Sequence, residues 1–191
     1  MCIRDRRIQR TLAARPGAIV PLIAETGGQN AMVVDSTALP EQVCDDVLES
    51  AFGSAGQRCS ALRILLLQSD IADHMQEMLR EALAERKLGL PWELATDIGP
   101  VIDAQAHARL AEHIDWLETH ARRIARLEVP QALKGGTYFG PQIYEIDGVA
   151  RLHEEVFGPI LHIVRWDETR LESELEALRR TGFALTLGIH T

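Results

Sequence analysis

The sequence predicts an α/β fold, a mostly parallel sheet with helices on both faces. Strand-like segments recur along the chain, Arg63–Leu67 and the alternating Ile160–Trp166 among them. Longer stretches with apolar residues at helical spacing lie between such segments. Strands that alternate with helices close on a parallel sheet buried on both sides. The 191 residues, 46% hydrophobic and 25% charged, suffice for one sizeable core.

Taken in order, residues 1–15 are polar and basic, with too few apolar positions for an element. After Arg15-Pro16-Gly17, the run Ala18–Ala24 reads as a buried strand, placed near an edge or end by Pro21. Glu25 follows, and Gly27-Gly28 permits a tight turn into a second strand, Ala31–Val34. Pro40 suits the first turn of a helix. Val43, Cys44, Val47, Leu48, Ala51 and Phe52 form its apolar stripe, so Cys44 is expected in the core. Residues 53–56 end that helix and deliver Gln57-Arg58-Cys59-Ser60, ahead of the strand at 63–67. The next helix takes Asp70 as N-cap, turns Ile71, Met75, Leu79 and Leu83 inward, and stops at Gly89. A loop over 91–100 leads to Asp103, which caps a helix carrying Leu110, Ile114 and Leu117. Strands over 124–129 and 138–146 flank a Lys134-Gly135-Gly136 turn, and Gly158-Pro159 precedes the strand at 160–166. A helix over 169–180 with Gly182 as C-cap and a strand over 184–189 complete the pattern.

Several function classes fall away. A net charge of −8, a pI near 5.4 and no basic stripe argue against nucleic acid. No apolar run is long enough to insert into a membrane, and the first residues carry no secretory h-region. Cys2, Cys44 and Cys59 form no closed disulfide set, which favours a reducing, cytoplasmic location and leaves a thiol for chemistry. His107, His113 and His120 share a helix without a metal-ligand pattern, so solvated or capping roles are expected and no metal. The acidic run 172–176 reads as a solvated face. Neither a P-loop nor a GxGxxG motif is present.

Two residues stand out chemically. Cys59 sits in a small-residue loop beside Arg58, where a thiolate nucleophile could be stabilised. The alternative is a structural, buried cysteine. Glu25 ends an apolar strand, at the carboxyl edge where ligands of α/β sheets gather, and could serve as a general base. The alternative is a solvated carboxylate. A cysteine hydrolase would need a histidine beside Cys59, and a non-catalytic packing module would need neither group.

Glu25-Thr26-Gly27-Gly28, Gly56-Gln57-Arg58-Cys59 and Glu155-Val156-Phe157-Gly158-Pro159, in this order and at these separations, resemble three motifs of the aldehyde dehydrogenase superfamily. Residues 21–30, 54–63 and 182–191 look more narrowly like the L-glutamate γ-semialdehyde (Δ1-pyrroline-5-carboxylate) dehydrogenase part of bacterial bifunctional proline-utilisation enzymes. The resemblance implies an aldehyde-dehydrogenase-like catalytic domain truncated at both ends. Residues 18–191 would be its partial catalytic domain, and residues 1–17 a leader unlike the family with the tail end of a cofactor-binding domain.

By the same resemblance, Cys59 attacks the aldehyde, its own backbone N–H helps hold the oxyanion, and Glu25 activates water. Glu155 holds the nicotinamide ribose of NAD, and Phe157 packs beside the cofactor. Arg58 and Ser60, on either side of the nucleophile, contact the substrate carboxylate, for which a planar guanidinium is suited. The competing role for Arg58 is an internal ion pair. The resemblance further implies fusion to a proline dehydrogenase domain and a homo-oligomer. The family's oxyanion asparagine and most of its cofactor domain are expected outside these residues, leaving the 191 residues alone with little or no NAD-dependent activity.

Overall fold

In the computed structural model, residues 3–24, 27–183 and 185–191 are described. Helix α1 (Ile3–Ala14) precedes strand β1 (Asn30–Val34), helix α2 (Pro40–Phe52) and strand β2 (Leu62–Gln68). Helices α3 (Ser69–Ala84) and α4 (Ala104–His120) lead to strands β3 (Arg122–Arg126), β4 (Gln142–Glu145) and β5 (Ile160–Trp166). Helix α5 (Leu171–Arg180) and strand β6 (Leu187–His190) follow.

The strands form one sheet in the order β3-β4-β5-β2-β1-β6. Every pairing is parallel except β3 with β4. The central strands β2 and β5 are buried along nearly their whole length, as their predominantly apolar residues require.

Side chains alternate across the sheet, so Tyr144 and His162 face one way and Glu145 and Arg165 the other. The first pair meets α4: the Tyr144 hydroxyl donates to Glu118, and His162 bonds to His113. The second pair meets α3: Gln76 donates to Glu145, and Arg165 donates to Asp73. Helices therefore cover both faces, as the alternating pattern predicts. On α2 the whole expected stripe is buried, Cys44 included, and burial pushes that thiol's pKa up.

Other expectations give way to tertiary context. Residues 3–14 are helical, although few apolar positions mark them. The run 18–24 forms no strand, and Ile19 and Ile23 are 100% and 89% exposed. A strand needs a neighbour for its backbone bonds, and among the described residues this run has none. Asp70 lies in the first turn of α3 rather than capping it, because the helix starts one residue earlier at Ser69. That helix ends at Ala84, and Gly89 instead follows the Leu88–Ile98 bridge. Asp103 does cap α4, accepting from the Ala106 N–H at 2.7 Å. Glu174, within the run expected to be solvated, is buried and accepts from the Val149 N–H at 2.8 Å. His113 is not solvated either, since its ring bonds to the buried His162 at 2.9 Å.

Candidate active site

The three motif segments converge at the amino ends of β1, β2 and β5. This is opposite to the carboxyl edge expected of ligands in an open α/β sheet. Asn30 opens β1, the Cys59 loop leads into β2, and residues 154–159 lead into β5.

The Cys59 loop begins where α2 stops. Ser54, Ala55 and Gly56 all have positive φ, at 55°, 52° and 65°. Such a run costs energy for residues with a Cβ and needs surroundings that enforce it. Gly56 is fixed by space as well, because a Cβ there would lie 2.3 Å from the Gly158 carbonyl oxygen. Gln57 then clamps the loop to the segment before α4. Its Nε2 donates to the Pro100 carbonyl at 3.3 Å, and its Oε1 accepts from the Ile102 N–H at 2.8 Å.

Within that frame Cys59 is an exposed free thiol, unlike the buried Cys44. The histidine ring hydrogen bonds among the described residues go to Arg63, Trp116, Thr119 and between His113 and His162. None reaches Cys59, which removes the support a cysteine–histidine hydrolase would need. Buried Asn30 holds the loop from beneath, its Nδ2 donating to the Cys59 carbonyl at 2.7 Å and the Ala61 carbonyl at 2.9 Å. Its Oδ1 accepts from the Thr186 N–H at 3.1 Å, so one side chain ties the loop to both β1 and the approach to β6.

The Glu155 loop packs against both other segments. Gln29 Nε2 donates to the Glu154 carbonyl at 2.6 Å. A Cβ on Gly27 would fall 1.5 Å from Glu155 Oε2, so glycine is what leaves room for that carboxylate. Arg63, fully buried at the start of β2, joins the loops. Its Nη1 donates to the Gly158 carbonyl at 3.1 Å and its Nη2 to the Arg58 carbonyl at 3.3 Å. Nη2 also lies 3.6 Å from Glu155 Oε1, and the guanidinium sits 5.3 Å from the centre of the Phe157 ring. Burial pulls the Arg63 pKa down, and the Glu155 carboxylate opposes that fall. Neither the role of Arg63 nor that of Asn30 is legible in the local sequence. The available signal was an arginine opening an otherwise apolar strand.

Arg58 and Ser60 are exposed and line one open pocket of about 320 Å³ with Met32, Asp46, Glu49 and Ser50. Arg58 makes no ion pair among the described residues; its Nη2 donates to the Glu49 carbonyl at 2.9 Å. Phe157 is 43% exposed beside the Glu155 carboxylate, whose Oε1 is buried without a hydrogen-bond partner. No cluster of metal-binding side chains occurs among the described residues, and no helix among them is long and apolar enough to cross a membrane. Glu25 lies outside the described residues, as do Cys2 and Ala184.

The chain is similar to known proteins along nearly its whole length. The profile described as "Aldehyde dehydrogenase family" matches residues 5–191. The bifunctional protein PutA of Escherichia coli is 50% identical over 96% of this chain, which spans only 14% of that relative. A 1-pyrroline-5-carboxylate dehydrogenase of Geobacillus kaustophilus is 32% identical over 95% of this chain and 35% of its own length. A crystal structure of Bradyrhizobium japonicum proline utilization A superposes with a TM-score of 0.92 at 54% identity, over 97% of this chain and 19% of that one.

Proposed function

The chain belongs to the aldehyde dehydrogenase family, and from that premise we propose that it carries the aldehyde-oxidising centre of an L-glutamate γ-semialdehyde dehydrogenase. The reaction is NAD-dependent oxidation of that aldehyde to L-glutamate in proline catabolism. One observation carries the reading: an exposed thiol, Cys59, is set between two exposed polar residues in a loop cross-linked to Glu155 and Phe157. The bifunctional relatives support a longer chain that includes a proline dehydrogenase domain; a cytoplasmic location and a homo-oligomer are part of the same proposal.

The chemistry divides between the side chains. Cys59 Sγ, as thiolate, attacks the aldehyde carbon, and the carbonyl oxygen becomes the oxyanion of a thiohemiacetal. The Cys59 N–H is one donor to that oxygen. Loss of hydride from the same carbon leaves a thioester. Glu25 takes a proton from water, which attacks the thioester carbon, and Cys59 departs as thiolate while the new carboxylate forms. A bound NAD supplies the hydride acceptor. The residues fit such a group, because the Glu155 carboxylate, 13% exposed and without a hydrogen bond to its buried Oε1, has acceptor capacity left for a ribose hydroxyl, and the exposed Phe157 ring offers an apolar face.

The pocket supports the substrate class. Glutamate semialdehyde carries both a carboxylate and an ammonium, and the pocket sets Arg58 and Ser60 against Asp46 and Glu49. An uncharged aldehyde would have no use for either sign. The test compares steady-state kinetics of glutamate semialdehyde and uncharged aldehydes in the full-length chain carrying this segment, with and without Arg58→Ala. A charge-assisted hydrogen bond worth about 1.5–3 kcal/mol corresponds to a loss of about 10- to 150-fold in kcat/KM, confined to the charged substrate. An unchanged value would remove Arg58 from the substrate site.

A further inference from the structure

We propose that Arg63 is a positioning residue that fixes the Arg58–Cys59 peptide and thereby aims the Cys59 N–H, joining the nucleophile loop mechanically to Glu155. The inference rests on the reading of Cys59 as the nucleophile and extends it to a residue that touches neither substrate nor cofactor.

The geometry runs through one peptide plane. The described residues contain no cis peptide bond, so the Arg58 carbonyl and the Cys59 N–H point in opposite directions from the same rigid unit. Arg63 Nη2 holds that carbonyl from the buried side at 3.3 Å, and the Ala61 N–H holds it again at 3.1 Å. The Cys59 N–H is thereby turned away from the core. Among the described residues it has no acceptor, which leaves a donor beside an exposed thiol. Asn30 pins the following carbonyl, so successive peptides on both sides of Cys59 are held from within.

Arg63 has little freedom to do otherwise. It is fully buried, it donates to Gly158 and Arg58, and it is flanked by Glu155 and Phe157. Its Nε is left without a partner, an expense that packing alone would not demand. A lysine keeps the charge but lacks the planar fork, so it cannot hold the Gly158 and Arg58 carbonyls together in the same geometry. Displacement of the Glu155 carboxylate would be felt at the same guanidinium.

Ester hydrolysis without NAD provides the test, because it needs Cys59 and the oxyanion donors but neither hydride transfer nor cofactor. In the full-length chain carrying this segment, hydrolysis of p-nitrophenyl acetate is measured per titratable Cys59 thiol for wild type, Arg63→Lys and Glu155→Gln. Misaiming one donor by a fraction of an ångström to 1 Å is expected to lower the per-thiol rate of Arg63→Lys by about 10- to 100-fold. A merely structural arginine would reduce the melting temperature and the number of reactive thiols while leaving the rate per thiol unchanged, and that result overturns the proposal. Should Arg63→Lys not fold, Glu155→Gln decides. A several-fold fall in its NAD-free ester rate supports the link through Arg63, and a wild-type rate refutes it. Wild-type protein that hydrolyses the ester at Cys59 without oxidising glutamate semialdehyde would refute the proposed substrate while leaving the Arg63 test intact.

Discussion

The amino and carboxyl ends of the same parallel strands are built differently. At the amino ends, buried Asn30 and Arg63 reach across loops distant in sequence, and three consecutive residues have positive φ. A cation is enclosed, Arg63 Nε and Glu155 Oε1 lack hydrogen-bond partners, and a thiol is left exposed. At the carboxyl ends, acids serve their own turns in solvent. Asp35 accepts from the Thr37 N–H at 2.8 Å, and Asp167 accepts from the Thr169 N–H at 2.9 Å. One buried donor there, Trp166 Nε1, is also unpartnered. The contrast separates the two kinds of turn. Burying a cation and straining a backbone are unfavourable, and both are concentrated around the loop that carries the proposed nucleophile.

Substitutions at the two ends should therefore differ in kind. Cys59→Ala removes the proposed attacking atom, and aldehyde oxidation by the full-length chain should fall by at least about 1000-fold with little change in melting temperature. Gly56→Ala would bring a Cβ to 2.3 Å from the Gly158 oxygen at a φ of 65°. It should cost about 1–3 kcal/mol in denaturant unfolding and lower ester hydrolysis per titratable thiol. In the middle of the sheet, Leu65→Ala leaves a cavity under a fully buried position and should cost about 2–5 kcal/mol. Its rate per folded molecule should stay near wild type, which is the reverse of the pattern at the amino ends.

A pH effect belongs to the sheet face beneath α4. The Arg63 carbonyl can only accept, so His162 Nδ1 donates to it at 2.9 Å, and His162 Nε2 accepts from His113. Burial pulls His162 down to about 3, with His113 and Arg63 adding unfavourable charge, and burial pulls His113 down to about 4. The unfolded chain takes up these protons near the ordinary histidine value of 6.5, before the folded chain does. Stability is thus full above that pH and falls as pH drops toward 4. Melting temperatures across this window should show the fall, and His113→Leu should flatten it. The smallest effect is expected from Asp35→Ala at the solvated carboxyl end, with unchanged activity and at most a slight drop in melting temperature.

Periodicity made the scaffold legible: the buried stripe of α2, the capped start of α4 and the alternating strand β5 lie where their residues put them. Cys59 and the Glu155 loop were visible because glycines and a resemblance marked them. Arg63 and Asn30 were not, since their bonds span 95 and 29 residues of sequence and no local pattern encodes them. The run 18–24 misled for the opposite reason. Its composition suits a strand, but pairing is supplied by a neighbour and not by composition.

Acid-quenched single turnover by the full-length chain tests the central claim most directly. Glutamate semialdehyde and NAD are mixed with wild type and Glu25→Gln, and the cysteine peptides are weighed by mass spectrometry. A glutamyl thioester on Cys59, absent from Cys44 and persisting longer in Glu25→Gln, is the predicted result. Stoichiometric hydride transfer with no adduct on Cys59 in the Glu25→Gln protein would contradict it.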